Sequence, residues 1–162
     1  EIGLSPIEDG AQGEIIEISG SVYDGTGWAL RDALIESWQP DAAGKFATQE
    51  GADPKVSGYC RFAADAESGE FTLRTVKPGR VGSRYGVMQA PHISLWIVAR
   101  GINIGLQTRI YFDDEDNAGD PVLSRIEQTP RVQTLIAKKT SEGQYRFDIR
   151  LQGDGETVFL DI

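Results

Sequence analysis

The sequence has 162 residues, of which 40% are hydrophobic and 25% charged, and its formal net charge is −9. This length favours a single domain, predicted over residues 1–162, and the acidic balance argues against nucleic-acid binding, which needs clustered Lys and Arg. The single cysteine, Cys60, excludes an intrachain disulfide. No apolar run approaches the ~18 residues of a membrane span. Together these features lead us to expect a cytoplasmic protein.

Nineteen glycines and seven prolines favour many turns between short strands. Residues 1–13 are predicted to be an extended arm. Strand-type patterns then predict seven or eight short strands, over 14–23, 33–38, 59–63, 70–76, 92–99, 106–112, 145–151 and 156–162. Gly20 interrupts the first of them, where a bulge is predicted.

The connections between these strands are uneven in length. Irregular loops are predicted over 45–61 and 77–90. Two short helices are predicted over 122–127 and 131–138, because Asp120-Pro121 and Thr129-Pro130 are good helix starts. Short strands with turn signals and two minor helices predict an all-β fold, an antiparallel β-sandwich.

The strand at 92–99 begins with the only histidine of the sequence, His92. Its apolar run predicts a buried central strand. Alternation places His92 and Ser94 on one face with Trp96 and Val98. Because one imidazole rarely holds a catalytic metal alone, His92 is interpreted as a hydrogen-bonded strand residue.

Two other features invite a chemical interpretation. The acidic run Asp113-Asp114-Glu115-Asp116 lacks the ligand spacing of a calcium loop, so a solvated loop is predicted. Cys60 has no second histidine in the sequence to activate it. It is therefore predicted to be a small buried hydrophobe.

Several stretches, taken in order, resemble one known family. They are Lys77-Pro78-Gly79, Ala90-Pro91-His92-Ile93-Ser94, Ala99-Arg100-Gly101-Ile102-Asn103-Ile104 and Arg109-Ile110-Tyr111-Phe112-Asp113-Asp114-Glu115. This series is similar to that of the intradiol ring-cleavage dioxygenases, and the likeness extends to residues 20–25, 35–41 and 145–150. The resemblance implies a β-sandwich with the cleavage site at one end.

The resemblance also identifies the positions of the family's iron ligands. Catalytic chains of that family hold Fe(III) through two tyrosines and two histidines. Here the tyrosine positions are Phe46 and Val81, and the histidine positions are His92 and Ser94. Gln89 replaces an arginine that precedes the first histidine by three residues. The resemblance therefore implies no metal and no catalytic residue on this chain. Tyr85 is a poor substitute ligand, since one His and one Tyr leave the iron half-coordinated.

The family includes enzymes in which such an iron-free chain pairs with a homologous beta chain that carries Fe(III). The resemblance then implies an alpha–beta oligomer that cleaves protocatechuate with O2 in the beta-ketoadipate pathway. Arg100 would line the substrate pocket of the partner, unless it is a solvated arginine at a strand end. Family alpha chains carry a longer arm before the segment matching Ile2-Gly3-Leu4, and we expect that arm to be short here. Two alternatives stay open: a self-sufficient intradiol catechol dioxygenase, and a metal-free β-sandwich binding module.

Overall fold

The structure, a computed structural model, describes residues 5–84, 86–99 and 104–161. Its strands are β1 Ile15–Tyr23, β2 Leu34–Trp38, β3 Tyr59–Ala63, β4 Glu70–Val76, β5 Val81–Gly82, β6 Met88–Gln89, β7 Ile93–Val98, β8 Leu106–Phe112, β9 Ile136–Ser141, β10 Gln144–Arg146 and β11 Ile149–Arg150. Two 3-10 helices cover Leu123–Arg125 and Thr129–Leu135. In the described ranges no helix has the length and apolar character needed to cross a membrane.

One large sheet organises the chain, in the order β11-β1-β10-β9-β8-β7-β2-β3. Strands β10 and β11 follow one another along one edge of β1, and β4 pairs with the other edge. The all-β prediction is confirmed, but the pairing is mixed, because β1 runs parallel to β10 and β11, and β8 runs parallel to β9. Parallel neighbours need a crossover connection, and the two 3-10 helices lie in the one between β8 and β9.

The core forms where the inward faces of two parts of this sheet meet. Period-two alternation directs Ile16 and Ile18 of β1 inward, and it does the same for Ile93 and Ile97 of β7. These side chains share one buried cluster with residues of β2, β4 and β8. Burying an aliphatic side chain fully contributes about 1.5–3 kcal/mol. This packing fixes which face of each strand points outward.

Strand β7 is central but is not buried on both faces. It lies between β2 and β8, and its inward residues are fully buried, as predicted. On the outward face, however, Trp96 is 39% exposed and Val98 is 43% exposed. The buried central strand predicted from composition is therefore half right. The prediction failed for the outward face because Trp96 and Val98 are apolar although they are exposed.

Gly20 allows two backbones to approach closely and does not mark a bulge. The β1–β4 register runs without interruption from Ile15 to Ser21. A Cβ atom at Gly20 would overlap the carbonyl group of Phe147. Phe147 lies there because its N–H donates to the carbonyl of Ser19 at 2.9 Å. Glycine is therefore required by contact with the returning chain, between β10 and β11.

The predicted helices are shorter than expected. Oδ1 of Asp120 accepts hydrogen bonds from the N–H groups of Val122 and Leu123, but the helix it starts ends at Arg125. The second helix was predicted to continue to residue 138, and it ends at Leu135. Ile136 instead begins β9, because it pairs with Tyr111 in the sheet. Pairing with β8 thus overrides the local helical preference.

Four other predictions need adjustment. The strand predicted over 145–151 is divided into β10 and β11. Residues 156–161 turn back, with the Thr157 N–H donating to the Arg150 carbonyl at 2.9 Å, but form no strand. The loop 77–90 contains the β5–β6 hairpin. In the predicted arm, Ile7 is buried and forms a bridge with Val56.

Candidate functional site

A groove of about 450 Å³ lies on the outward face of β2, β7 and β8. Cross-strand register places Trp38, Ser94 and Arg109 in one row, and Glu36, Trp96 and Gln107 in the next. Tyr59, opposite Trp38 on β3, adds a third aromatic ring to the lining. Alternation on neighbouring strands is sufficient to produce this arrangement, since every second residue points to the same side. The groove includes Ser94, one of the four predicted ligand positions.

Phe46 contacts Trp38, one of the residues that line this groove. Its ring stacks on Trp38, with centroids 5.7 Å apart and planes 8° from parallel. The carboxylate of Asp41 shapes the preceding turn by accepting hydrogen bonds from the N–H groups of Ala43 and Lys45. A phenyl ring in this position can stack but has no oxygen to offer a metal. Phe46 therefore acts as packing for Trp38.

Val81 lies on the β5–β6 hairpin, directly opposite Gln89. Its side chain is half-buried and is aliphatic, so it cannot coordinate a metal. The structure thus connects two predicted positions, Val81 and Gln89, through the pairing of the hairpin.

His92 is 8% exposed and is hydrogen-bonded. Its Nδ1 lies 2.9 Å from the carbonyl oxygen of Ala90, and its ring centroid is 5.4 Å from that of Tyr111. Burial, followed by the nearby positive charge of Arg109, lowers the pKa of His92 to about 4. The imidazole is therefore neutral near pH 7, and Nδ1–H is the donor to Ala90. This geometry supports the structural interpretation of His92.

Arg109 connects the groove to a buried polar network that the sequence did not reveal. Its Nη1 donates to Oε1 of Gln89 at 2.8 Å and to the hydroxyl of Tyr111 at 3.2 Å. The Tyr111 hydroxyl in turn donates to Oδ1 of Asp120 at 3.0 Å. Oδ2 of Asp120 accepts the N–H of Ala90 at 2.8 Å. A guanidinium thus reaches Gln89, the residue that replaces the family's arginine.

The residues at the four positions do not fit a ferric ion. Phe46 and Val81 supply no donor atom, and Ser94 offers a neutral hydroxyl where an imidazole is expected. His92 lies beside a guanidinium, whose charge opposes a metal cation. No three His, Cys, Asp or Glu side chains of the described residues come together as metal ligands. No step of iron-dependent oxygen chemistry can therefore be derived for this site.

Two predicted site residues, Arg100 and Tyr85, lie outside the described residues. The proposed role of Arg100 therefore stays a prediction. Cys60 is buried on β3, and burial raises the pKa of its thiol. This position matches the predicted small hydrophobe and disfavours a thiolate nucleophile.

The acidic run is more tightly anchored than a solvated loop. The Nζ of Lys77 lies 3.0 Å from carboxylate oxygens of both Asp114 and Glu115. The hydroxyl of Tyr145 donates to Asp114 at 2.8 Å. Although burial alone would lower the pKa of Lys77, its hydrogen bonds with Glu115 and Asp114 raise it above the usual value. The run therefore holds the start of the 77–90 loop against β8 and β10.

Sequence reasoning missed Arg109, although one signal was available. Alternation along β8 places Arg109 on the opposite face from Ile110 and Phe112, in register with Ser94 on β7. An arginine in the middle of a central strand suggests a buried partner or ligand. Asp120 was identified only as a helix start, and its contacts with Tyr111 and Ala90 depend on the tertiary fold.

Comparison with known proteins agrees with the family resemblance and with the all-β fold. Residues 4–153 match the sequence model of the family described as Dioxygenase (Dioxygenase_C). The chain is 51% identical to the protocatechuate 3,4-dioxygenase alpha chain of Pseudomonas putida, over 93% of this chain and 78% of that protein. The identity is 42% with the alpha chain of Burkholderia cepacia, over 94% of this chain and 79% of that protein. With the beta chain of Burkholderia cepacia the identity is 32%, over 90% of this chain and 67% of that protein.

Among solved structures, 3-chlorocatechol 1,2-dioxygenase from Rhodococcus opacus 1CP superposes with a TM-score of 0.73 at 23% identity. The match covers 93% of this chain and 64% of that protein, so this chain spans less than two thirds of it. At this identity the likeness concerns the fold alone. The family match over most of the chain, together with the alpha-chain identities, shows that the chain belongs to the intradiol dioxygenase family, whose enzymes use non-haem iron.

Proposed function

We propose that this chain is the iron-free alpha-type subunit of a protocatechuate 3,4-dioxygenase. The observation that carries the proposal is the combination of 51% identity to an alpha chain with a ligand set reduced to His92. A family member that lacks the metal donors can take part in ring cleavage only beside a chain that has them. The family also contains a beta chain homologous to this sequence, which is the partner expected.

The proposed complex adds both oxygen atoms of O2 to 3,4-dihydroxybenzoate. The ring opens between the two hydroxyl-bearing carbons and yields 3-carboxy-cis,cis-muconate, so no other oxidant or reductant is needed. Fe(III) on the beta chain supplies the chemistry, and this chain supplies scaffold and part of the substrate pocket. The proposed architecture is a sandwich in which the β1–β4 region packs over the β2–β7–β8 region.

Exposed apolar side chains support a partner on this chain. Val87 and Met88, in the 77–90 loop, are about half exposed, and Trp28 and Ile104 are more exposed still. In subunits of permanent complexes, exposed apolar side chains are commonly covered by the partner. We propose that the loops at 45–61 and 77–90 form part of the contact with the beta chain.

Arg100 is proposed to bind the carboxylate of protocatechuate in the pocket that the beta chain completes. The support is its place in the run Ala99-Arg100-Gly101, which follows β7 and matches the family's sequence there. A guanidinium can bind a carboxylate through two parallel hydrogen bonds. Its charge would therefore favour a dihydroxybenzoate over a plain catechol.

Co-expression tests this function. The chain is produced alone, with a homologous chain that carries the full set of two tyrosines and two histidines, and the homologous chain is also produced alone. Ring cleavage is followed by the loss of protocatechuate and by O2 uptake. We expect a stable pair, and efficient cleavage only from that pair. Iron-dependent cleavage by this chain alone would identify a self-sufficient enzyme, and failure to associate with any such homologue would favour a separate binding module.

A further inference from the structure

A small pocket of about 230 Å³ lies beside β9, β10 and β11. Of the described residues that line it, three are cationic, Lys138, Arg146 and Arg150, and one, Asp148, is anionic. The chain as a whole has the opposite balance, with 25 acidic residues against 16 basic ones. The pocket has no lining residue in common with the groove on β2, β7 and β8. It is therefore a local concentration of positive charge on an acidic protein.

The sheet itself brings these cations together. Lys138 on β9 and Arg146 on β10 are direct cross-strand partners. Arg150 shares the outward side with Arg146, because the buried residues Phe147 and Ile149 alternate with them. Like charges directly opposite each other on neighbouring strands are destabilising. An anion in the pocket would offset this repulsion.

Within the pocket, Arg146 is already paired and Lys138 is not. The Nη1 of Arg146 lies 3.0 Å from Oε2 of Glu70, and its Nη2 lies 2.8 Å from Oδ1 of Asp148. The Nζ of Lys138 donates to Oε1 of Gln133 at 2.7 Å, and this acceptor is neutral. An ammonium group has three donors, so Lys138 can bind an anion without giving up Gln133.

Arg150 also lacks a counter-charge. The carbon at the centre of its guanidinium lies 4.6 Å from the ring centroid of Tyr23. The ion pairs between described residues include neither Arg150 nor Lys138. Two of the three cations in the pocket are therefore available to a ligand.

Thr157 adds a buried donor to the same pocket. It lines the pocket and is only 1% exposed. Its Oγ1 accepts the N–H of Arg150 at 2.9 Å, but the hydrogen bonds between described residues provide no acceptor for its own hydroxyl hydrogen. Buried hydroxyl groups normally have partners. An acceptor inside the pocket would complete this one.

From these contacts we infer that the pocket binds a small tetrahedral oxyanion of the phosphate type. Lys138, Arg150 and Thr157 donate to its oxygens, and Arg146 adds positive charge. These donors come from β9, from β11 and from the segment after β11, which suits oxygens that point in four directions better than the two of a flat carboxylate. The volume is below the roughly 300–1,000 Å³ of larger small-molecule sites. The inference does not depend on the proposed function.

Equilibrium dialysis with labelled inorganic phosphate, in a chloride buffer at pH 7.5, tests the site. The protein is used as it is purified, together with any chain that accompanies it. We expect phosphate binding that Arg150→Gln weakens by roughly tenfold or more, since a charge-assisted hydrogen bond is lost. Lys138→Gln weakens it by roughly threefold, because solvent screens this exposed residue. Arg150→Lys keeps the charge without the planar fork and binds better than Arg150→Gln.

A matched control separates the pocket from the general charge of the protein. Arg74→Gln removes one positive charge from an exposed position on β4, outside the pocket, and leaves phosphate binding unchanged. Lys138→Gln alters an exposed side chain, so it tests the site even if Arg150→Gln is unstable. The inference is overturned if the purified protein binds no phosphate, or if Arg74→Gln weakens binding as much as Lys138→Gln.

Competing anions test the geometry of the ligand. Sulfate, which is also tetrahedral, displaces labelled phosphate, and acetate at the same ionic strength does not. Phenyl phosphate distinguishes two sources of the same group. If it displaces the label at lower concentration than inorganic phosphate does, the site takes an organic phosphate; if not, it takes the free anion. Equal displacement by acetate and sulfate would overturn the inference.

Discussion

Lowering the pH from 7.5 to 5 should destabilise this protein through His92. The pKa of His92 is about 4 in the folded chain, against an ordinary value of 6.5. The unfolded chain therefore takes up the proton first as the pH falls. The stability that comes from the neutral imidazole is complete above about pH 6.5 and decreases until the pH reaches about 4.

The magnitude follows from the difference between the two pKa values. At about 1.4 kcal/mol for each pH unit the complete difference is about 3 kcal/mol, and about 2 kcal/mol of it is lost by pH 5. His92→Asn removes the titrating group, while its amide can still donate to the Ala90 carbonyl. This variant loses the contact with Tyr111, so we expect it to be less stable than wild type at pH 7.5. Its free energy of unfolding should decrease less than that of wild type as the pH is lowered.

Urea unfolding of both proteins, at pH 7.5, 6.5, 5.8 and 5, measures the effect. Other acidic groups titrate equally in the two proteins, so the pH dependence of their difference reports His92 alone. We expect the difference in unfolding free energy between wild type and variant to decrease by about 2 kcal/mol between pH 7.5 and 5. A gap that stays constant across this range would show that His92 is not held neutral by burial beside Arg109.

Three further substitutions test other parts of the structure. Gly20→Ala should destabilise the protein by about 1–3 kcal/mol or more, because its Cβ meets the Phe147 carbonyl; urea unfolding measures this loss, and an unchanged midpoint would contradict the close approach. In the assembled complex, Arg100→Ala should raise the Michaelis constant for protocatechuate roughly tenfold to a hundredfold and leave iron content unchanged; equal losses with catechol would indicate a structural role. Ser94→His alone should not create an iron site, and stoichiometric iron in that variant by metal analysis would refute the ligand assignment.

Strand positions were largely predictable, because alternation and turn residues are local signals. Strands β3, β4 and β8 agree with the predicted bounds, each lying between turn or loop segments. Strand β9 was not predictable in the same way. Its residues after Ile136 and Ala137 are polar and exposed, and its start is set by pairing with β8.

The same distinction between local signals and tertiary contacts applies to the candidate site. The family's ligand positions could be located from sequence, since motifs that resemble the family's flank Val81, His92 and Ser94. The contacts around these positions could not be predicted from sequence. The hydrogen bonds from Arg109 to Gln89 and Tyr111 join residues brought together by the sheet and the β5–β6 hairpin. Likewise, the acidic run was predicted to be solvated because nothing in the sequence connects Lys77 to Asp114, 37 residues later.

The measurement that tests the central claim most directly is the iron content of each chain together with its ring-cleavage activity. The co-purified pair is separated under conditions that keep iron bound, and each chain is analysed for iron and assayed with protocatechuate. We predict that the iron stays with the beta chain, that this chain holds none, and that efficient cleavage needs both chains. Stoichiometric iron and ring cleavage in this chain alone would contradict the account.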